Sequence, residues 1–207
     1  MNVVPLVFST GWASGVNSYL VVLVLGLADR FGHFAQIPNA LGRTDVLIGA
    51  GLLYAIEFVA DKIPYLDSTW DAISTAIRPT IAAVIAVLVS GHAGSLEQAG
   101  YAVLGGSTAL ASHSVKAGSR LAINTSPEPF SNIGASLGED GLVVGVVLLA
   151  IHHPWAALVV SAVLLVVGLV MLCYLMRAVR RGWRRWKGRP DDRRKTRSRR
   201  GPTADPA

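Results

Sequence analysis

Charged residues are scarce in this chain, and cysteine is almost absent. Of 207 residues, 15% are charged and 52% are hydrophobic, a balance typical of membrane proteins rather than of soluble domains. The single cysteine, Cys173, excludes an intramolecular disulfide framework and a cysteine-based zinc site. The first residues, MNVVPLVFSTGWASG, lack the basic stretch that opens a cleaved signal peptide, so we expect them to stay in the mature protein.

The few charges are unevenly divided along the chain. Residues 1–176 contain 6 Lys and Arg against 10 Asp and Glu, whereas residues 177–207 contain 13 against 3; the net charges of −4 and +10 add to +6. We therefore expect a transmembrane domain over 1–176 and a basic, largely disordered tail over 177–207. The start of the tail is predicted to contact the membrane interface and anionic lipid headgroups through Arg180, Trp183, Arg184 and Trp186. Nucleic acid is not an expected partner.

Apolar runs predict an all-α, polytopic membrane helix bundle of about six spans, with some helices kinked or broken. The runs cover roughly residues 3–28, 46–60, 79–89, 101–121, 142–151 and 154–176. Only the first, fourth and sixth reach the roughly 20 residues that a spanning helix needs, so the others must include polar neighbours. Ser68 and Asp71 form a capping-box pattern that predicts the start of the third helix, and Pro79 predicts a kink in it.

The basic tail sets the expected orientation. Basic residues that flank a membrane span are retained on the cytoplasmic side, so we expect the tail in the cytoplasm and the protein in the inner membrane of the cell. With six spans, both termini are then cytoplasmic. The connections expected on the outer side contain only two basic residues, Arg30 and Arg43.

An internal similarity predicts an inverted repeat. The segment FAQIPNALG from Phe34 returns as FSNIGASLG from Phe130, and the alignment from these residues has seven identities in twenty positions. STGWAS at Ser9 also resembles STALAS at Ser107. Chance similarity between apolar helices is the alternative. A true repeat gives halves of about 1–92 and 99–176 with three helices each and opposite orientation, an arrangement found in secondary transporters.

Ionisable residues are predicted to share one layer inside the membrane. Glu57 and Arg78 each lie 12 residues from the outer end of their helices, or about 18 Å at about 1.5 Å per residue, and His113 and Asp140 fall at similar depth. The candidate substrate or ion pathway consists of Glu57, Asp61, Asp67, Asp71, Arg78, His113, Lys116, Arg120, Asn124, Glu128, Glu139 and Asp140. Buried charges are costly unless paired, so these residues form either a pathway or a structural network.

Other segments leave alternatives open or carry no chemistry. Residues 123–132 contain two prolines and form either a loop or a re-entrant segment. The spacings Gly11 to Gly15 and Gly141 to Gly145 allow close helix packing. Nucleotide-binding glycine loops, a GxSxG elbow and an HExxH motif are all missing from the sequence. We therefore predict no catalytic residues, no metal site and no cofactor.

One stretch resembles a known family. The run from Glu57 to Asp71, EFVADKIPYLDSTWD, followed by Arg78 and Pro79, is similar to the signature of small bacterial membrane proteins catalogued as domain of unknown function 4126. The segment from Ser126 to Asn132, SPEPFSN, matches that family as well. The resemblance covers roughly residues 3–176 and leaves the basic tail as an extension. It implies a multi-pass membrane protein and supplies no activity.

Two functional hypotheses follow. The first is a small transporter or channel-like protein whose charged site lies between inverted halves and handles an unknown small solute or ion. The alternative is a non-transporting membrane scaffold or assembly partner that uses the same charges as a structural ion-pair network. In both, the lipid bilayer is the main partner, and homo-oligomer formation is left open.

Overall fold

Six α-helices form the fold in the computed structural model, which describes residues 3–63, 65–91, 93–123 and 129–187, the side chains of 129 and 182–187 excepted. They are α1 (Val3–Gly32), α2 (Thr44–Ala60), α3 (Leu66–Ser90), α4 (Ser95–Ile123), α5 (Pro129–His152) and α6 (Pro154–Lys187). The described residues contain no strand. The predicted all-α fold with six helices is confirmed.

The helices have the composition of a membrane bundle, as predicted. Four of those described are long and apolar enough to cross a membrane: α1, α3, α5 from Phe130 and α6 as far as Arg181. An apolar stretch of 18 residues in α1 is 78% buried, whereas the corresponding stretch in α6 is only 11% buried. The first helix therefore forms the centre of the bundle, whereas α6 presents an apolar outer face of the kind that lipid covers.

The central helix is broken at its midpoint. Asn17 has φ −154° and ψ 95°, an extended conformation inside an otherwise helical segment. At about 1.5 Å per residue, a continuous helix over Val3–Gly32 would be about 45 Å long, and Gln36 would follow its far end. Instead, both residues line one cavity of about 300 Å³ together with Ile151 and Pro154. The two arms of α1, residues 3–16 and 18–32, therefore fold back as a helical hairpin with Asn17 at its tip.

Most helix ends gather where the hairpin begins and finishes. A second cavity of about 520 Å³ is lined by Val3 and Gln36, by Ser90 at the end of α3 and by Tyr101 near the start of α4. Pro154, which begins α6, borders the first cavity beside the end of α5. We call this the N-terminal end of the bundle. The tip of the hairpin lies about 21 Å from it, at about 1.5 Å per residue.

The path of the hairpin differs from three sequence expectations. The first apolar run is not one straight helix, because its second arm returns toward the N-terminal end. The other helices then alternate in direction, so α6 runs away from the N-terminal end, whereas six alternating spans were expected to bring both termini to one side. In addition, the STGWAS segment runs parallel to STALAS: Gly11 packs on Gly105, and the Val16 carbonyl accepts a hydrogen bond from Lys116. An inverted repeat requires opposite directions for these segments.

Small residues let the first arm approach α4 closely. A Cβ added at Gly11 would lie 2.8 Å from the Gly105 carbonyl oxygen, and one at Gly15 would overlap the Ala109 carbonyl. The predicted packing role of this glycine pair is confirmed. A Cβ added at Gly141 or Gly145 would meet nothing within 4 Å, so the close packing predicted there is not made within the described chain.

The third helix begins earlier than predicted. It starts at Leu66 rather than Ser68, after Tyr65, whose φ of 69° turns the chain into the helix. Pro79 lies within α3, which continues to Ser90. The described residues divide into two units at the boundary between Leu172 and Cys173; in the second, helix continues to Lys187.

Candidate functional site at the tip of the helical hairpin

The break in α1 leaves backbone groups that side chains satisfy. In a continuous helix the carbonyls of Gly15 and Val16 would accept hydrogen bonds from the N–H groups four residues on. Here Arg78 Nη1 donates to the Gly15 carbonyl and Lys116 Nζ to the Val16 carbonyl, both at 3.1 Å. Asn17 Oδ1 accepts from the Leu20 N–H at 3.0 Å and so caps the second arm. Two cations thus lie at the negative end of one helix dipole.

Arg78 joins three helices at this point. Its Nη2 donates to Glu57 Oε1 on α2 at 2.7 Å, so the pairing predicted from helix depth is confirmed. The same nitrogen lies 3.1 Å from Asp71 Oδ1, an ion pair without hydrogen-bond geometry. On α4, His113 Nδ1 lies 2.8 Å from Nη1. Arg78 and Glu57 are both fully buried.

The contacts of His113 define its charge. A guanidinium only donates hydrogen bonds, so the Nδ1 atom beside Arg78 must be the acceptor. The ring proton is then on Nε2, which lies 3.1 Å from both the Asp71 carbonyl oxygen and Thr75 Oγ1. His113 is therefore neutral, with the tautomer fixed by its neighbours.

Lys116 and Arg120 extend the charged contacts along α4. Lys116 Nζ lies 2.6 Å from Asp61 Oδ2, 3.4 Å from Glu57 Oε1 and 3.6 Å from Glu139 Oε2. Arg120 Nη2 lies 2.6 Å from Glu139 Oε2 and 3.6 Å from Asp61 Oδ2. The predicted basic face of α4 therefore meets acidic residues of α2 and α5.

These ion pairs connect one continuous group, which we call the buried ion cluster: Glu57, Asp61, Asp71, Arg78, Lys116, Arg120 and Glu139. Its four carboxylates and three cations give a net charge of −1 when all are ionised. Only the Glu139 side chain is appreciably exposed, at 19%. Charges this deeply buried are tolerated because they are paired.

Asp140 lies near the cluster but has its own partners. Asn17 Nδ2 donates to its Oδ1 at 3.0 Å, and Tyr54 Oη donates to its Oδ2 at 3.2 Å. These contacts tie the hairpin tip to α2 and α5. Asp140 thus holds the break in place and makes no ion pair among the described residues.

Of the remaining predicted site residues, some are described and others are not. Asp67 is buried and accepts from the Ser68 N–H at 2.5 Å. Asn124 and Glu128 lie outside the described residues, as do the side chains of Trp183, Arg184 and Trp186. Arg180 is exposed, and the lipid-interface role of this group stays a prediction.

Sequence reasoning missed two residues that shape the site, Asn17 and Tyr54. The signal for Asn17 was its position in GVNS, where a polar side chain interrupts a long apolar run beside a glycine. Tyr54 had no comparable signal. Within the described ranges no three His, Cys, Asp or Glu side chains are arranged to hold a metal ion.

Comparison with known proteins identifies a family without an activity. Neither the curated proteins nor the solved structures contain a match to this chain. The family model described as domain of unknown function (DUF4126) matches residues 4–173, which include the hairpin and every residue of the buried ion cluster. The chain belongs to this family.

Proposed function

We propose that this protein is a small transporter or channel-like protein of the inner membrane, with the buried ion cluster as its site. The observation that carries the proposal is the hairpin tip, where α1 breaks beside the cluster. Irregular backbone at membrane depth is tolerated only where protein buries it or where it lines a polar cavity. In secondary transporters, broken helices supply such helix ends to the bound ion or solute.

Asp71 is the strongest candidate for a proton or cation site. Its side chain is 3% exposed, and neither carboxylate oxygen accepts a hydrogen bond from a described residue. It shares Arg78 with Glu57, which lies closer to that guanidinium. A buried carboxylate in this position is costly unless it gains a proton or a cation. Glu57 and Asp61 are the other proposed cation-facing groups.

The basic groups have a complementary proposed role. Lys116 and Arg120 would face the anionic part of a transported species once the carboxylates no longer bind them. The Nε2–H group of His113 would offer a further hydrogen-bond donor. In the observed state Lys116 and Arg120 are each paired with two or more carboxylates. Transport would therefore require these ion pairs to exchange partners when one part of the bundle moves against the other, as parts of secondary transporters do.

The proposed topology follows the hairpin. With the basic tail in the cytoplasm, the N-terminal end of the bundle faces outward, and the chain crosses the membrane through α2 to α6. Helices α2 and α5 then run in opposite directions, which supports an inverted relation between the segments that begin at Phe34 and Phe130. The inverted relation is therefore proposed for α2 and α5 alone.

Near-complete burial of the cluster favours a second candidate, a scaffold or assembly protein. Arg78 and Arg120 have relative exposures of 0%, and each donates hydrogen bonds to at least two other segments of the chain. A network closed in this way fits a purely structural role. The two candidates differ in whether the folded protein moves anything across a bilayer.

Flux into liposomes containing the purified protein separates the two candidates. We expect uptake of protons, monovalent ions or small organic ions, with Asp71→Asn lowering the rate at least tenfold. This substitution removes the surplus negative charge, so the variant should remain folded. Glu97→Gln, at an exposed position of α4, is the matched control and should keep the wild-type rate. A folded wild-type protein that moves none of these species would leave the scaffold as the function.

A further inference from the structure

A pocket opens sideways from the buried ion cluster between α1, α4, α5 and α6. Its volume is about 230 Å³, and its walls include Trp12, Leu142, Leu165 and Val167. Lys116 and Glu139 are its charged residues, and Ser112 and Ser119 also line it. Val167 lies in the wall that α6 forms, and the apolar stretch of α6 is the least buried among the four apolar helices. The pocket therefore leads from the apolar surroundings of the bundle to the cluster.

Glu139 is the group of the cluster that a ligand in this pocket would meet. Its side chain is 19% exposed, whereas every other cluster side chain is at most 3% exposed. Arg120 and Lys116 both approach the same oxygen, Oε2. The second oxygen, Oε1, accepts no hydrogen bond from the part of the chain that the structure describes. One carboxylate oxygen is thus available at the edge of a group with a net charge of −1.

The chemistry of the pocket selects against an anion. Lys116 Nζ already has four oxygen neighbours, from Val16, Glu57, Asp61 and Glu139, within 3.6 Å. An ammonium group has only three donors, so none is left for an anionic ligand. A wholly apolar ligand would fit the walls but would leave the surplus negative charge uncompensated.

We propose that this pocket binds a small organic cation with apolar substituents, whose positive charge lies against Glu139. The charge would balance the cluster, and the apolar groups would contact Leu142, Leu165 and Val167. Trp12 adds to the wall an aromatic residue, a type of side chain that attracts cations. The volume is below the roughly 300 to 1,000 Å³ of pockets for drug-sized ligands, so the cation is small. In naming a substrate class the proposal rests on the proposed function, but binding is tested without transport.

Equilibrium binding of radiolabelled benzyltrimethylammonium to the purified full chain in detergent tests the site. This probe keeps its charge at every pH, and neopentylbenzene is its uncharged isostere. We expect saturable binding that an excess of neopentylbenzene does not displace. Equal displacement by the isostere would show an unselective apolar cleft and overturn the proposal, as would the absence of saturable binding.

Two substitutions locate the probe. Val167→Trp should weaken binding at least tenfold by filling the pocket, whereas Val166→Trp should not, because Val166 is similarly exposed, at 60% against 52%, but does not line the pocket. Glu139→Gln should also weaken binding at least tenfold, and the cluster then has three carboxylates for three cations. Equal binding by Val167→Trp and Val166→Trp would place the probe elsewhere. Saturable binding without flux in liposomes would contradict the transporter and leave the binding site standing.

Discussion

Arg78 and Glu57 meet 2.7 Å apart on consecutive helices, with side chains at most 1% exposed. Arg78→Met would leave Glu57 and Asp71 without this cation, so it should cost about 3 to 5 kcal/mol of unfolding free energy. Glu57→Leu leaves Arg78 paired with Asp71 and should cost less. The double variant should be more stable than Arg78→Met, because the Glu57 carboxylate is removed together with its partner. Thermal unfolding in detergent measures the stability of the wild type, the two single variants and the double variant, which together form a double-mutant cycle. Additive losses of stability would show that the pair is not coupled.

The exposed pair Arg43 and Asp45 is the matched control for this cycle. Its charged atoms also lie 2.7 Å apart, but the side chains are 66% and 65% exposed. The Arg43 side chain, which donates a hydrogen bond to Asp45, lowers the pKa of that carboxyl. Because solvent screens an exposed pair, neutralising either residue should change the midpoint of unfolding little. A loss as large as that at Arg78 would mean that burial is not the cause.

The layer of charges could be predicted from the sequence, whereas the hairpin could not. Glu57, Arg78 and His113 share a depth because helical rise converts residue counts into distance, and that rule holds along each unbroken helix. The break at Asn17 depends on contacts from Arg78, Lys116 and Asp140, which come from distant parts of the chain. Hydropathy is the same for a straight apolar helix and a folded one, so the hairpin in the first apolar run was not predicted.

Asn17 should be essential for the closed hairpin tip. Asn17→Ala removes the cap on the Leu20 N–H and the donor to Asp140, and loss of a helix cap alone costs about 0.5 to 2 kcal/mol. We expect lower thermal stability and faster amide hydrogen exchange at residues 18–22. Asn39→Ala, at an exposed position, is the control and should change neither. Unchanged exchange at the tip would show that the break does not need the Asn17 side chain.

The folded-back first helix predicts the side of each terminus. In a Cys173→Ala background, single cysteines at Val4 and Asn39 should react with a membrane-impermeant maleimide from the same side of intact cells. A cysteine at Phe130, which is 85% exposed at the start of α5, should react only after the other side is opened. If Val4 labels together with Phe130 instead, α1 crosses the membrane as a single span and the hairpin is wrong.

Close packing of the first arm on α4 gives the last prediction. At Gly15 an added Cβ would overlap both the Ser112 hydroxyl and the Ala109 carbonyl. The carbonyl is backbone and cannot move aside without shifting α4, so Gly15→Ala should cost about 1 to 3 kcal/mol or more. It should also lengthen the contacts that Arg78 and Lys116 make with the tip.

Gly145→Ala is the matched control, since its Cβ would meet nothing within 4 Å, and alanine favours a helix over glycine by about 1 kcal/mol. Thermal unfolding should therefore rank Gly145→Ala at or above the wild type and Gly15→Ala well below it. Equal stability of the two variants would mean that the first arm does not pack on α4 as closely as the glycines indicate.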